Sequence, residues 1–272
     1  MGTPFSIHRR LPLVRRPFFQ RDEALRECAR LGERIAELER QLGRQPAAGQ
    51  RDPDSIYART TYSIEAEDLL VPRFLEQILG YPSDYCGFYV DIGAADPVRS
   101  SNTCLLYNRG WRGINIEPNP SAMERFKNLR PRDITVNAGI GPEGTAGTYT
   151  RFDDPLLNGF LAPENVQFHA SNGHKIIDAT EIAFRSINSI LAEHVAPGGA
   201  VDFLNIDTEL MEFAILSDLD FSRWKPEVIA AEIHGDLDID AISSSKVAQL
   251  LRSLGYVFVS RIWQTSIFVR RP

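Results

Sequence analysis

Residues 88–93 read Phe-Tyr-Val-Asp-Ile-Gly, and a second apolar run, Ile114-Asn-Ile, ends at Glu117. This pairing constrains the fold more than any other feature of the chain. A hydrophobic strand runs through an acid into a glycine turn, and the next strand ends in an acid. That layout belongs to a parallel sheet whose carboxyl ends hold a nucleoside-type ligand. The turn itself, Gly93-Ala-Ala-Asp-Pro97, lacks the G-x-G-x-x-G spacing that packs glycine against a pyrophosphate. A cofactor with ribose and adenine but no phosphates fits better, and S-adenosylmethionine meets that description. A nicotinamide-dependent reductase is disfavoured by the single glycine in this turn.

From about residue 60 onward apolar runs and helical patterns alternate. The reading predicts strands over Phe88–Asp91, Gly113–Glu117, Ile134–Ala138, Val201–Ile206, Val228–Ala231, Tyr256–Val259 and Ser266–Val269. Helices are predicted over 66–79, 101–108, 120–129 and 242–254, with Pro72 marking a break or a fresh start. This alternation predicts an α/β layer fold with a mostly parallel sheet. Residues 141–180, rich in glycine, asparagine and aspartate, read as a long functional or disordered loop.

The beginning of the chain follows other rules. Residues 1–20 are rich in proline and arginine without periodicity, which predicts a flexible basic tail. Over residues 21–45, Ala24, Cys28, Leu31, Ile35, Leu38 and Leu42 recur at alternating spacings of four and three. That is a heptad seam, expected either to pair two copies as a coiled coil or to lie on its own domain. A linker over 46–60 and a catalytic domain over 61–272 complete the expected organisation.

Bulk properties narrow the partners. With 30 Lys and Arg against 36 Asp and Glu, the net charge is −6, which predicts no general affinity for nucleic acid. The three cysteines, Cys28, Cys86 and Cys104, show no metal-binding or disulfide spacing. A cytoplasmic location, no transmembrane segment and no signal peptide are therefore expected.

The polar residues expected at the strand ends are Asp91, Glu117, Asn137, Asp207 and the pair Glu232 and His234. Glu117, with two acceptor oxygens, suits the two ribose hydroxyls. Asp91, Gly93 and Ala94 form the first turn, where Asp91 would orient the loop or accept from the cofactor's amino group. Ser101, Asn102 and Thr103 open a helix and could hold the methionine carboxylate. Asn137 either meets the adenine edge or serves as a turn residue. As general base, His234 is the first choice because its ordinary pKa lies near neutrality, with Asp207 and Glu209 next. His169 and His174 could line an acceptor pocket. No dedicated metal spacing is present.

Several stretches together resemble one family. They are Val90-Asp-Ile-Gly-Ala-Ala-Asp-Pro97, Ser101-Asn-Thr103, Gly110-Trp-Arg-Gly-Ile-Asn-Ile-Glu-Pro118, Asp202-Phe-Leu-Asn-Ile-Asp-Thr-Glu209, Phe221-Ser-Arg-Trp-Lys-Pro226 and Glu232-Ile-His234. In this order they resemble the FkbM S-adenosylmethionine-dependent methyltransferases. The resemblance implies a Rossmann-like class I methyltransferase fold, with a mostly parallel seven-stranded sheet and helices on both faces. It also implies O-methylation of a sugar, glycan or secondary-metabolite hydroxyl. The chain departs from the family where glycine is common, at Pro97 and at Leu210. The competing expectation is an oligomerising scaffold in which residues 21–45 are the working part and the methyltransferase-like domain is degenerate.

Overall fold

The computed structural model describes Arg34 and residues 59–154, 157–208, 210–235 and 238–271. The heptad segment 21–45, apart from Arg34, lies outside the described residues, as do the tail, nearly all of the linker, and Glu209. Internal contacts divide the chain into residues 1–59 and 60–272.

In the second unit, a 3-10 turn at Glu67–Leu69 leads into helix α1, Leu70–Gln77. Pro72 falls in the first turn of α1, where its missing N–H has no intrahelical partner to lose. Strand β1 (Phe88–Ile92), helix α2 (Cys104–Asn108) and strand β2 (Arg112–Ile116) follow. A proline-initiated 3-10 turn, Pro120–Ala122, is capped by Asn119, whose side chain accepts from the Ser121 N–H, and it opens into helix α3, Met123–Leu129. Strand β3 covers Ile134–Val136.

The second half contributes β7 (Phe203–Ile206), β8 (Val228–Glu232), β9 (Tyr256–Ile262) and β10 (Thr265–Arg270) to the same sheet. Helices α5 (Ile187–His194), α6 (Glu212–Asp218), α7 (Ile239–Ser243) and α8 (Lys246–Ser253) lie between and around them in sequence. The helix expected over 242–254 is interrupted, because Ser245 leaves the helix and caps α8 by accepting from the Ala248 N–H.

The sheet order is β3-β2-β1-β7-β8-β10-β9. All neighbours from β3 to β8 pair in parallel, and β10 pairs antiparallel with both β8 and β9. Such a sheet is Rossmann-like, with one reversed strand near its far edge. Alternation along β1 sends Val90 and Ile92 to one face, against a core that includes Ile187, Ile190, Ile215 and Leu251 of α5, α6 and α8. Tyr89 faces the other way, among Val71 and Leu75 of α1 and Leu106 of α2. The central parallel strands β2, β1, β7 and β8 are buried on both faces, which is why they read as nearly continuous apolar runs.

Residues 139–185 differ from the expected loop. They form a three-stranded sheet ordered β4 (Gly139–Ile140), β6 (Ile176–Arg185), β5 (Ala146–Phe152), with helix α4, Pro163–Ser171, between β5 and β6 in sequence. Among its elements, burial is confined to β4 and to Tyr149, Thr150 and Phe152 of β5, while β6 and α4 have no buried residue. A segment without an apolar face carries no periodic signal to read.

Candidate functional site

The chemistry-bearing residues form two layers. The inner layer is a polar row inside the sheet. Register places Asn115 of β2, Asp91 of β1 and Asn205 of β7 side by side. Asp91 is buried, accepting from Thr103 Oγ1 at 2.5 Å and Asn205 Nδ2 at 2.9 Å. Asn102 donates to Asn205 at 3.1 Å, and Ser101 Oγ accepts from the Cys104 N–H at 3.1 Å, steadying the start of α2.

Arg130, at the C-cap of α3, completes this network. One guanidinium nitrogen donates to Thr103 Oγ1 at 2.9 Å and Asn115 Oδ1 at 3.0 Å, and the other donates to Ser101 Oγ at 2.9 Å. The guanidinium also stands 3.8 Å from the Asp133 carboxylate, which accepts from Tyr89 and Asn115. Burial pushes both Asp91 and Asp133 above the usual carboxylate range, and Arg130 opposes the shift in each. Asp91, Ser101, Asn102 and Thr103 thus all turn their side chains inward. Sequence reasoning did not single out Arg130, Asp133 or Asn205, although a charged residue closing an amphipathic helix next to proline was visible at Arg130-Pro131.

The outer layer lies at the carboxyl edge. Glu117 follows β2 directly, and its side chain is 3% exposed. Oε2 accepts from the Ala95 N–H at 2.9 Å, and Oε1 accepts from the Asn119 N–H at 2.6 Å and from the Tyr149 hydroxyl at 3.3 Å. Burial raises its pKa, and the hydrogen bonds from Asn119, Ala95 and Tyr149 pull against that rise. The first turn is wedged between the two acid-bearing ends. Gly93 and Ala94 donate to the Ile116 carbonyl at 3.0 and 3.2 Å. Gly93 has φ +80°, and a Cβ there would sit 1.8 Å from the Asp207 carbonyl oxygen. Glycine is required on both counts.

Asp207 ends β7 with an exposed side chain, and its N–H donates to the Ile92 carbonyl at 3.0 Å. Asn137 is a turn residue here, its amide donating to the carbonyls of Glu117 and Pro118, both at 2.9 Å. Beyond β8, His234 Nδ1 lies 2.7 Å from Gln264 Nε2, and its Nε2 lies 3.1 Å from Glu232 Oε2. Gln264 precedes β10, so the β9–β10 turn fixes the ring. Glu212 is buried at the start of α6, accepts from the Thr208 N–H and hydroxyl, and has its pKa raised by burial. Among the described residues, no three His, Cys, Asp or Glu side chains gather as a metal site.

His169 and His174 belong to the small three-stranded unit of residues 139–185, hereafter the insert, with their rings 6.3 Å apart. His174 approaches Asp153 at 3.8 Å. A cleft of about 630 Å³ opens on the insert, lined by Gly147, Thr148, Thr150, Phe160, Val166 and Ile176 among others. It shares no lining residue with the strand ends, and neither histidine lines it.

The methyltransferase FkbM domain matches residues 91–258, from Asp91 in β1 to the first residues of β9. The chain belongs to the FkbM methyltransferase family. No curated protein matches it by sequence. Among solved structures, it is similar to the FkbM methyltransferase of Methylobacillus flagellatus KT, with 17% identity and a TM-score of 0.39 over 68% of this chain and 44% of that one. The chain therefore spans less than half the length of that protein. A precorrin-6y C5,15-methyltransferase from Geobacter metallireducens GS-15 gives 14% identity and a TM-score of 0.40 over 81% and 95% of the two chains. One departure from the usual FkbM pattern has a visible structural consequence. Leu210 adopts φ +82° with its side chain 64% exposed, so a leucine occupies a backbone conformation that favours glycine.

Proposed function

We propose that this FkbM-family chain is an S-adenosylmethionine-dependent O-methyltransferase acting on a hydroxyl of a sugar, glycan or secondary metabolite. The observation that carries the reading is the setting of Glu117. Its carboxylate stands at the carboxyl end of β2, beside the glycine turn, with both oxygens aligned by backbone N–H groups. Two-point acceptance from a vicinal diol suits that geometry. The donor set fits a nucleoside without phosphates, since no glycine-rich phosphate cradle is built here. S-adenosylmethionine supplies a methyl group made electrophilic by its sulfonium.

The chain's own residues must hold the nucleoside, align the acceptor, exclude water and take the hydroxyl proton. Glu117 holds the ribose. Asp91, Ser101, Asn102 and Thr103 stiffen the turn and helix start that border the methionine end, acting through the Arg130 network rather than by direct contact. Gly93 and Ala94 supply the turn, and Asn137 supports the loop that shapes the adenine edge. His234 is the proposed base: the acceptor hydroxyl displaces the Gln264 amide from Nδ1 and gives its proton to that nitrogen, while Glu232, 3.1 Å from Nε2, faces the Nε2–H and stabilises the imidazolium. Asp207 and Glu209 are the alternative proton acceptors.

The test is incubation with methyl-labelled S-adenosylmethionine and fractionated extracts, followed by mass spectrometry of the labelled product. Label on an oxygen, lost in His234→Ala, is expected. A cofactor-binding protein that labels only nitrogen or carbon would refute the O-methyl assignment.

A further inference from the structure

The insert reaches the cofactor edge through two alternate residues of one strand. Tyr149 and Arg151 of β5 project to the same side, as period-two alternation requires. The Tyr149 hydroxyl bonds Glu117, while Arg151 donates to Ser121 Oγ at 2.9 Å and pairs with Asp178 of β6. The Tyr149 ring is buried and packs edge-on to Phe160 at 5.2 Å, which in turn packs on Phe184 at 4.8 Å. Gly139 and Gly147 leave room for this stack, since a Cβ at either would come within 2.7 Å of Phe184 ring atoms.

Counting lone pairs at Glu117 exposes a conflict. A carboxylate offers about two acceptor positions per oxygen. Asn119 takes one on Oε1 and Ala95 takes one on Oε2. One position per oxygen then remains, the pair that a ribose diol needs. The Tyr149 hydroxyl fills the one on Oε1.

Resting on the reading of Glu117 as the ribose acid, we infer that Tyr149 is a place-holder for a ribose hydroxyl, so that cofactor entry lifts the insert's contact with the site. Tyr149 and the cofactor compete for the same oxygen. The Arg151–Ser121 contact reinforces the closed arrangement from two residues away. The insert thereby sets the rate and affinity of cofactor exchange, and Tyr149 is a residue that tunes affinity rather than a catalytic one.

Binding of S-adenosylhomocysteine to the full chain, by calorimetry and stopped-flow fluorescence, tests this. Tyr149→Phe keeps the ring in its stack and removes the competing hydroxyl. One hydrogen bond of this kind corresponds to about three- to tenfold, so tighter binding by that factor is expected, mainly through faster association. Ser121→Ala, at an exposed position of the Pro120–Ala122 turn, should also speed association without disturbing the stack. Glu117→Ala should weaken binding strongly in both the wild-type and Tyr149→Phe backgrounds. If Glu117→Ala weakens binding but Tyr149→Phe binds equally or less tightly, the place-holder idea is wrong and the ribose reading stands. If Glu117→Ala binds as wild type does, or if wild type binds no S-adenosylhomocysteine, the ribose reading fails and takes this inference with it.

Discussion

Replacing Arg130 by methionine should destabilise the domain severely and in a pH-dependent way. Arg130 is 1% exposed and bridges Ser101, Thr103 and Asn115 with three hydrogen bonds of 2.9–3.0 Å, while facing Asp133 at 3.8 Å. Methionine fills a similar volume but donates nothing, leaving Asp91 and Asp133 as buried carboxylates without their cation. Breaking a buried ion pair from one side costs about 3–5 kcal/mol. Against a total stability of about 5–15 kcal/mol, that loss leaves a marginal domain.

The pH dependence follows from the raised carboxyls. A carboxyl whose native pKa lies above its unfolded value binds its proton more readily when folded. Its presence costs nothing below the unfolded pKa, and stability is lost as pH rises from there through the native pKa. Arg130 limits this rise for both acids, so its removal enlarges the loss. Urea unfolding of wild type, Arg130→Met and Arg130→Lys at several pH values between 5 and 8 measures the effect. The gap for Arg130→Met should be widest at pH 8 and close as pH falls toward the ordinary carboxylate range near about 4. Arg130→Lys should fall between the other two, keeping the charge but not the fork. A loss below about 1 kcal/mol, or a gap that does not change with pH, would refute the argument that Arg130 compensates buried carboxylates.

Two further predictions concern the edge of the site. Leu210→Gly should stabilise the fold by about 1 kcal/mol, because relief of the left-handed backbone outweighs glycine's entropy and the exposed side chain packs little. Thermal unfolding would show it, and a lowered Tm would mean that Leu210 makes a contact worth more than the strain. His234→Ala should lower kcat by about a hundredfold or more while S-adenosylhomocysteine binding stays within about twofold of wild type. Retained kcat would move the base to Asp207 or Glu209.

The centre of the sheet was readable because β2, β1, β7 and β8 are buried on both faces and end in turn or acid residues. Phe88–Ile92 and Arg112–Ile116 match the expected runs to within about a residue, the ordinary uncertainty of element ends. Glu117 and Asp207 stood out because each is a carboxylate directly following such a run. The insert was not readable, because β6 and α4 present no buried face and Gly-Asn-Asp composition suggests loop. Helix α5 did carry a signal, Ser186 as cap and Ile187, Ile190 and Leu191 on one face, that the reading left unassigned. The inward roles of Ser101 and Thr103 could not be foreseen without Arg130, whose side-chain partners come from three separate segments. Tyr149 reaches Glu117 across 32 positions through a sheet with no sequence signature.

The measurement that bears most directly on this account is calorimetric titration of S-adenosylhomocysteine into wild type and Glu117→Ala, with thermal unfolding as the control for folding. Wild type should bind, and the alanine variant should remain folded and lose about a hundredfold or more in affinity, the loss of two hydrogen bonds to a charged acceptor. An alanine variant that binds as tightly as wild type would contradict the account.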